Sequence, residues 1–230
     1  ALSRTYTIGT DIRFSGKVLT MPFYGNRIVI KSEKKPFTKG DSLRVLVDGR
    51  PPSSFPGTYF MTRPGNPDGR KWPWDLPAMI RIRHSVPWTN EEWKCTFTDA
   101  EPPYIDFSFS ITGSVTGNDG RGNSFKDFKS NSGKVIIKGS DAEEGGDWHL
   151  ARSYKVLKTI VKDDDFVTWR TYSLSKDYYS GHKPESNSDN NRHILFQGIP
   201  NSDHILKLKA TGRKIPEIKE ITIYRPLLNN

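Results

Sequence analysis

The chain has 230 residues, a net charge of +9 at neutral pH and a hydrophobic content of only 34%. Its aromatic content of 12% supplies core volume that aliphatic residues do not, because aromatic side chains bury large areas, and this excludes intrinsic disorder over most of the chain. The excess positive charge predicts an acidic partner, namely nucleic acid, an anionic polysaccharide or a membrane surface.

The lysines and arginines are scattered along the chain as single residues rather than concentrated in one block. Proteins that bind nucleic acid usually concentrate positive charge on one helix or stripe, so this scatter disfavours a nucleic-acid partner.

No stretch approaches the roughly 20 apolar residues of a membrane-spanning helix, and we expect no membrane span. Cys95 is the single cysteine, which excludes an intrachain disulfide. Because the chain begins at Ala1 rather than Met, we expect an upstream segment and an exported domain, either secreted, periplasmic or at the cell surface.

Short strands separated by glycine turns are predicted in the first 50 residues. Alternation of apolar and polar residues between Gly, Pro and Asn is typical of half-buried antiparallel strands. The predicted strands of this region are Thr5–Ile8, Ile12–Phe14, Val18–Phe23, Arg27–Lys31 and Leu43–Asp48.

The middle of the chain begins with a loop rich in Pro and Gly over residues 51–77, and a loop of that length in a compact domain predicts a function for it. Residues 113–133 predict a mobile surface loop, and residues 148–162 fit neither the helical nor the strand period well, which leaves a short helix or a strand pair as alternatives. The strands predicted between these loops are Ala78–His84, Trp93–Thr98, Ile105–Ile111, Lys134–Lys138 and Phe166–Leu174.

The last 40 residues predict three further strands, His193–Gln197, His204–Lys209 and Glu220–Arg225, with turns at 198–201 and at Gly212. Taken together, these elements predict an all-β protein. We expect a single antiparallel β-sandwich domain of the jelly-roll type over residues 1–230, with a large loop-rich insertion at about 51–168 between its early and late strands.

Both chain ends carry short motifs that resemble a known module. These motifs are Phe14-Ser15-Gly16, Phe23-Tyr24-Gly25, Val47-Asp48-Gly49, and Gly198-Ile199 followed by His204-Ile205-Leu206-Lys207-Leu208. Together they cover about a third of the chain and resemble the N-terminal, galactose-binding-like jelly-roll module of bacterial GDSL-type carbohydrate esterases. The resemblance implies a non-catalytic carbohydrate-binding fold, with a catalytic domain in the parent protein as a partner.

The tetrapeptide Gly40-Asp41-Ser42-Leu43 matches the nucleophile signature of GDSL esterases, but its context does not. A nucleophilic serine of this kind closes a strand and opens a helix, which presents its hydroxyl to a base. Here Ser42 runs directly into a predicted strand. The expected Asp-x-x-His partner is also missing, since Asp189 and His193 are one residue too far apart, so we interpret the match as false.

No histidine spacing in the chain is typical of a metal site, and we predict no cofactor. Adjacent acids could act in a glycosidase, but such pairs come from separate strands, and ordinary surface charge is the favoured interpretation. A structural calcium ion at Asp163–Asp165 remains the alternative, because Ca²⁺ prefers several carboxylate oxygens. The adjacent acids are Glu91-Glu92, Glu143-Glu144 and Asp163-Asp164-Asp165.

Aromatic residues in predicted loops are the most informative candidates for a site. Indole and phenol rings stack on the apolar face of a sugar ring, and neighbouring basic groups bind its hydroxyls or carboxylates. The predicted ligand-binding residues are Trp72, Trp74, Trp88, Arg63, Arg70, Lys71, Tyr178, Tyr179 and His182. Trp93, Trp148 and Trp169 lie in strand-like or mixed patterns and are predicted to be core.

These observations favour a carbohydrate-binding module for a polysaccharide or oligosaccharide, with an anionic glycan suggested by the basic surface. The first alternative is a polysaccharide lyase or hydrolase that uses the same surface, with Tyr178, Tyr179, His182 or Lys183 as its base. A structural or adhesive surface protein is the second alternative.

Overall fold

A computed structural model describes residues 2–32, 41–65, 80–85, 87–139, 146–158, 161–180 and 191–226. This part of the chain is mostly β-strand, and its strands pair antiparallel, which confirms the predicted all-β class of an antiparallel sandwich. Within the same ranges, no helix has the length and hydropathy of a membrane span. The elements are β1 (Ser3–Thr7), β2 (Val18–Ser32), β3 (Leu43–Val47), β4 (Tyr59–Met61), β5 (Arg83–His84), β6 (Glu91–Thr98), β7 (Ser108–Gly113), β8 (Gly117–Asn123), β9 (Phe128–Lys129), β10 (Val135–Ile137), α1 (Leu150–Leu157), β11 (Phe166–Ser173), β12 (Tyr178–Tyr179), β13 (Arg192–Ala210) and β14 (Ile218–Tyr224).

The chain divides into two compact units. Residues 1–60 and 173–230 form the first, which we call the terminal unit, and residues 61–172 form the second, which we call the inserted unit. The single sandwich domain over 1–230, with its loop-rich insertion at 51–168, stays a prediction.

The terminal unit is built on a six-stranded sheet with the order β1-β14-β2-β13-β3-β12. Alternate residues of its long central strands, such as Leu19 and Met21 on β2 and Leu206 and Leu208 on β13, are almost fully buried. The polar residues between them face solvent, as the period of two in a strand requires. The predicted alternation therefore identifies the core face of this sheet.

The turns predicted inside these two strands are wrong. β2 runs without interruption through Gly25, and β13 runs through residues 198–201, where the pairing with β2 changes register between Gln197 and Ser202. Gly198, at a φ of +89°, adopts a backbone conformation that other residues avoid. A bulge therefore stands where the Gly-Pro-Asn composition predicted a turn.

In the inserted unit, β11, β6, β7 and β8 pair in that order in one sheet, and β5, β10 and β9 form a three-stranded sheet. Trp93 and Trp169 stack in its core with ring centroids 6.2 Å apart, and Trp148 packs edge-on against Phe107 at 4.9 Å. All three tryptophans are at least 93% buried, which confirms their predicted place in the core.

Residues 113–133, where Gly and Asn predicted a mobile loop, instead contain the strands β8 and β9. A side chain at Gly122 would overlap the rings of Phe109 and Phe128, so glycine is required there by packing against aromatic rings. Within the ambiguous segment 148–162, Leu150–Leu157 form helix α1, and Lys158 follows it in the left-handed conformation.

Candidate functional site

An open cleft of about 550 Å³ lies in the inserted unit, where β6 begins and β11 ends. Every lining residue has a polar side chain, and Tyr172, which is 39% exposed, provides the one aromatic ring of the lining set. The residues that line it are Thr62, Asn90, Glu91, Glu92, Ser114, Arg170, Thr171 and Tyr172.

Strand alternation presents two of these side chains to solvent on β11. Val167, Trp169 and Thr171 are buried, so Arg170 and Tyr172 project from the opposite face of the strand. Arg170 is the cross-strand partner of Glu92, and its guanidinium forms an ion pair with the Glu92 carboxylate. The pair is exposed and therefore still offers donors and acceptors to a ligand in the cleft.

Hydroxyl groups fix the backbone around this ion pair. The backbone N–H of Glu92 donates to Ser114 Oγ at 3.0 Å, and that of Arg170 donates to Thr62 Oγ1 at 2.9 Å. Both hydroxyl groups retain a proton to donate, because each accepts in these bonds. The cleft thus combines hydroxyl, guanidinium, carboxylate and phenol groups at one end of the paired strands β6 and β11.

Glu91, the neighbour of Glu92, points the other way and is buried. Its Oε1 accepts the backbone N–H groups of Val115 and Thr116, and its Oε2 accepts the hydroxyls of Thr89 and Thr116, with Lys134 Nζ 3.6 Å away. Burial opposes ionisation of Glu91, but these hydrogen bonds outweigh it, so its pKa lies below the ordinary value. A carboxylate with this environment is a structural anchor and a poor proton acceptor at neutral pH.

The adjacent pair Glu91-Glu92 therefore does not form a glycosidase pair, since the two carboxylates lie on opposite faces of β6. Asp163 accepts the backbone N–H of Ala100, and Asp165 accepts that of Lys162, so both serve as turn residues. Throughout the described ranges, no group of three or more metal-ligating side chains could hold a metal ion.

Behind the cleft, an aromatic cluster surrounds His84. The Thr171 hydroxyl accepts Trp93 Nε1–H at 3.0 Å, and His84 Nε2 accepts Trp169 Nε1–H at 2.7 Å. Burial lowers the pKa of His84 from 6.5 to about 4; the nearby Glu91 opposes this effect, and Lys134 adds to it. His84 is therefore neutral at physiological pH, and its ring is a hydrogen-bonded part of the core.

The predicted ligand-binding residues do not converge in the described ranges. Trp88 is half-buried and lies 5.5 Å from the His84 ring, and Arg63 is exposed, but neither lines the cleft. Tyr178 is 58% exposed, whereas Tyr179 is buried and its hydroxyl lies 3.2 Å from Ser32 Oγ. These two tyrosines therefore face opposite sides of β12. The other predicted ligand-binding residues lie outside the described residues; they are Trp72, Trp74, Arg70, Lys71 and His182.

In the terminal unit, Asp48, His204 and Ser202 have the connectivity of a hydrolase triad. His204 Nδ1 lies 2.7 Å from Asp48 Oδ2, and Nε2 lies 3.0 Å from Ser202 Oγ. However, Nε2 also lies 2.9 Å from the Pro200 carbonyl oxygen, which can only accept, and His204 is 93% buried. An Nε2–H held by a carbonyl cannot take the serine proton, so we interpret this arrangement as a structural link.

The GDSL-like segment also lacks catalytic geometry. Ser42 precedes β3 directly, and its hydroxyl lies 2.6 Å from Thr211 Oγ1. The serine leads into a strand rather than into a helix that would present its hydroxyl to a base, which confirms that the sequence match is false.

Comparison of the chain with family models, with curated proteins and with solved structures finds no match. The chemistry of the described residues is therefore the basis for assigning a function.

The cleft residues Arg170 and Tyr172 were not among the predicted site residues. The alternation of apolar and polar residues over Phe166–Leu174 predicts which side chains of this strand are exposed. It places Trp169 and Thr171 in the core and Arg170 and Tyr172 on the solvent face. Their clustering with Glu92, Ser114 and Thr62 depends on strand register, which the alternation alone does not specify.

Proposed function

We propose that the protein is a non-catalytic carbohydrate-binding protein, with a saccharide site in the cleft of the inserted unit. The observation that carries the proposal is the exposed Tyr172 ring beside the Arg170–Glu92 pair, in a cleft whose other lining residues all have polar groups on their side chains. A sugar has an apolar C–H face and a rim of hydroxyl groups, and this set of side chains matches both.

Charge balance favours a ligand rich in neutral hydroxyls for this cleft. Glu92 is paired with Arg170, and the buried Glu91 is 3.6 Å from Lys134 Nζ, so each carboxylate has a cationic neighbour. Because the exposed Glu92 carboxylate already neutralises Arg170, this pair leaves no surplus positive charge in the cleft to attract phosphate groups, and this supports a saccharide over a nucleic acid.

The sequence supports the same proposal. Both chain ends resemble a carbohydrate-binding module, and Trp72, Trp74 and Trp88, with Arg63, Arg70 and Lys71, remain proposed contacts for a longer glycan. A catalytic domain in the parent protein and an exported location are part of the proposal.

Tyr172→Ala tests the proposal by binding to a panel of neutral and acidic polysaccharides, measured by affinity electrophoresis and calorimetry. Loss of the stacking surface should weaken binding about tenfold. Phe125→Ala is the matched control, because Phe125 is a 43% exposed aromatic residue of the same unit that does not line the cleft.

A turnover assay on the same polysaccharides separates the alternatives. Retention without new reducing or unsaturated ends supports a binding module, and new ends would establish a hydrolase or lyase instead. No retention on any glycan would overturn the proposal in favour of an adhesive or structural role.

A further inference from the structure

A second groove lies in the terminal unit, where β1, β14 and β2 are neighbours in the sheet. Its volume is about 220 Å³, which is small for a ligand pocket and suits one ring or one charged substituent. The lining residues are Ser3, Arg4, Tyr6, Tyr24, Ile223 and Arg225.

The two arginines come from adjacent antiparallel strands. Arg4 lies on β1, and Arg225 directly follows β14, where its backbone N–H donates to the Leu2 carbonyl oxygen at 3.0 Å. This bond extends the β1–β14 pairing beyond the last strand residue and keeps both arginines beside the same groove. The groove is therefore lined by two arginines whose backbones lie on paired strands.

The Arg4 side chain is also oriented by its neighbour. Its guanidinium carbon lies 4.8 Å from the centroid of the Tyr6 ring, a cation–π contact that restricts the side chain. Within the described ranges, the Arg4 guanidinium forms no ion pair with a carboxylate. Asp203, the cross-strand partner of Tyr24, is exposed and is not a lining residue.

Tyr24 adds an aromatic surface that is 46% exposed, and the next residue in the chain, Gly25, lies close to the Tyr224 backbone. Gly25 has a φ of +151°, and a side chain on it would overlap the Tyr224 carbonyl oxygen. The absence of a side chain at Gly25 lets β2 approach β14 closely, beside the exposed ring.

We propose that this groove binds the anionic substituent of an acidic saccharide, a sulfate or carboxylate group, with the sugar ring against Tyr24. Guanidinium groups bind planar or tetrahedral oxyanions through parallel N–H donors, and a phenol ring supplies the apolar contact. This site lies in a different unit from the cleft of the proposed function and does not depend on it.

The groove favours a saccharide over a nucleic acid. A nucleic-acid strand needs a continuous series of cationic groups along its backbone, whereas here the two arginines share one small groove. A single charged sugar residue matches both the volume of the groove and the positive charge of its two arginines.

Calorimetric titration with a sulfated disaccharide, a uronic-acid disaccharide and a neutral disaccharide tests the proposal. We expect at least one acidic disaccharide to bind, and Arg4→Gln to weaken its binding about tenfold. Arg4→Lys should recover only part of the affinity, because the ammonium group keeps the charge and loses the fork of donors.

Arg213→Gln is the matched control, because it removes one positive charge from an exposed position of the same unit that does not line the groove. Its affinity should stay within about twofold of the parent protein. Equal losses in both variants, equal binding of the neutral disaccharide, or no binding of either acidic one would overturn the proposal.

Two further arms separate this site from other sources of binding. Inorganic sulfate and phosphate should compete only at much higher concentration than the disaccharide, and equal competition would overturn the saccharide assignment. If Tyr172→Ala abolishes binding of the acidic disaccharide while Arg4→Gln leaves it intact, the disaccharide binds in the cleft of the inserted unit and not in the groove. That result would overturn the proposal.

Discussion

Asp48 and His204 form a hydrogen-bonded link between the end of β3 and the middle of β13, with Oδ2 and Nδ1 2.7 Å apart. The second carboxylate oxygen of Asp48 accepts the backbone N–H of Ile205 at 2.8 Å. His204 Nε2 contacts the Pro200 carbonyl oxygen, so the imidazole connects the turn after β3 to the irregular part of β13. The link thus fixes the register at a point where ladder pairing is interrupted.

Asp48→Asn should destabilise the protein by about 1–2 kcal/mol, because it replaces a charge-assisted hydrogen bond with a neutral one. Urea unfolding at pH 7 measures the effect. Asp203→Asn is the control, since Asp203 is an exposed carboxylate close in sequence to His204, and it should change the free energy of unfolding by less than about 0.5 kcal/mol.

The same link should weaken in acid. Burial opposes ionisation of Asp48, but the bonds from His204 and Ile205 more than offset it and lower its pKa below 3.8. Its contribution to stability is therefore present above the unfolded-state pKa and is lost as the pH falls below about 4. Asp48→Asn should remove part of the pH dependence of stability below about pH 4; an unchanged slope would contradict this.

As the pH falls, the inserted unit should begin to lose stability at a higher pH than the Asp48–His204 link does, because of His84. The unfolded chain binds a proton on this histidine below pH 6.5, whereas the folded chain resists it down to about pH 4. Stability should fall by about 2 kcal/mol over that window, after allowance for solvent screening. Tryptophan fluorescence during urea unfolding reports the change, and His84→Gln should flatten the dependence on pH.

Glu91 and Glu92 provide a matched pair of variants on adjacent positions. Glu91→Gln should cost about 3 kcal/mol, because it leaves Lys134 partly buried without its carboxylate partner. Glu92→Gln should cost about 0.5 kcal/mol, because the Arg170–Glu92 pair is exposed. Chemical unfolding of both variants checks the difference, and similar costs for the two would show that the burial argument is wrong.

Two glycines of the terminal unit should resist substitution. A side chain at Gly57 would overlap the Gly198 carbonyl oxygen, and one at Gly198 would overlap that of Gly57. Each alanine variant should therefore cost about 3 kcal/mol. Gly65→Ala and Gly49→Ala are the controls, because a side chain at either position would meet open space. Gly65 has no positive φ, so its alanine variant should lose almost no free energy of unfolding. Gly49 has a positive φ, so its variant should lose about 1 kcal/mol. Thermal unfolding separates steric overlap from backbone strain.

Cys95 should report unfolding of the inserted unit. The thiol is fully buried on β6, and burial raises its pKa, so the native protein should not react with thiol reagents. Labelling should follow the urea transition of the inserted unit, monitored by tryptophan fluorescence. Rapid labelling of the native protein would contradict the burial of this strand.

The sequence predicted the strand faces better than the strand ends. Alternation identified the buried sides of β2, β6, β11 and β13, because burial of one face leaves a period of two in the sequence. It did not distinguish a turn from a bulge at residues 198–201, because glycine and proline are common in both. The outcome there depends on pairing with β2, a strand distant in sequence.

The candidate site was less accessible to prediction than the fold. Loop composition pointed to Trp72 and Trp74, whereas the cleft is formed where β6 and β11 meet. The pairing of Arg170 with Glu92 and of Thr171 with Glu91 brings the polar side chains together. The register between β6 and β11 is fixed by tertiary packing, and the amino-acid composition of the loops does not predict it.

The order of the two units along the chain has a consequence for synthesis on the ribosome. Residues 61–172 are continuous, so the inserted unit is complete in the nascent chain while β13 has not yet been made. β2 cannot pair with β13 until β13 has been synthesised, since Val18 of β2 pairs with Lys209 of β13. Until then, the apolar face of β2 stays uncovered. The first 60 residues are therefore the segment that most needs protection from aggregation during translation.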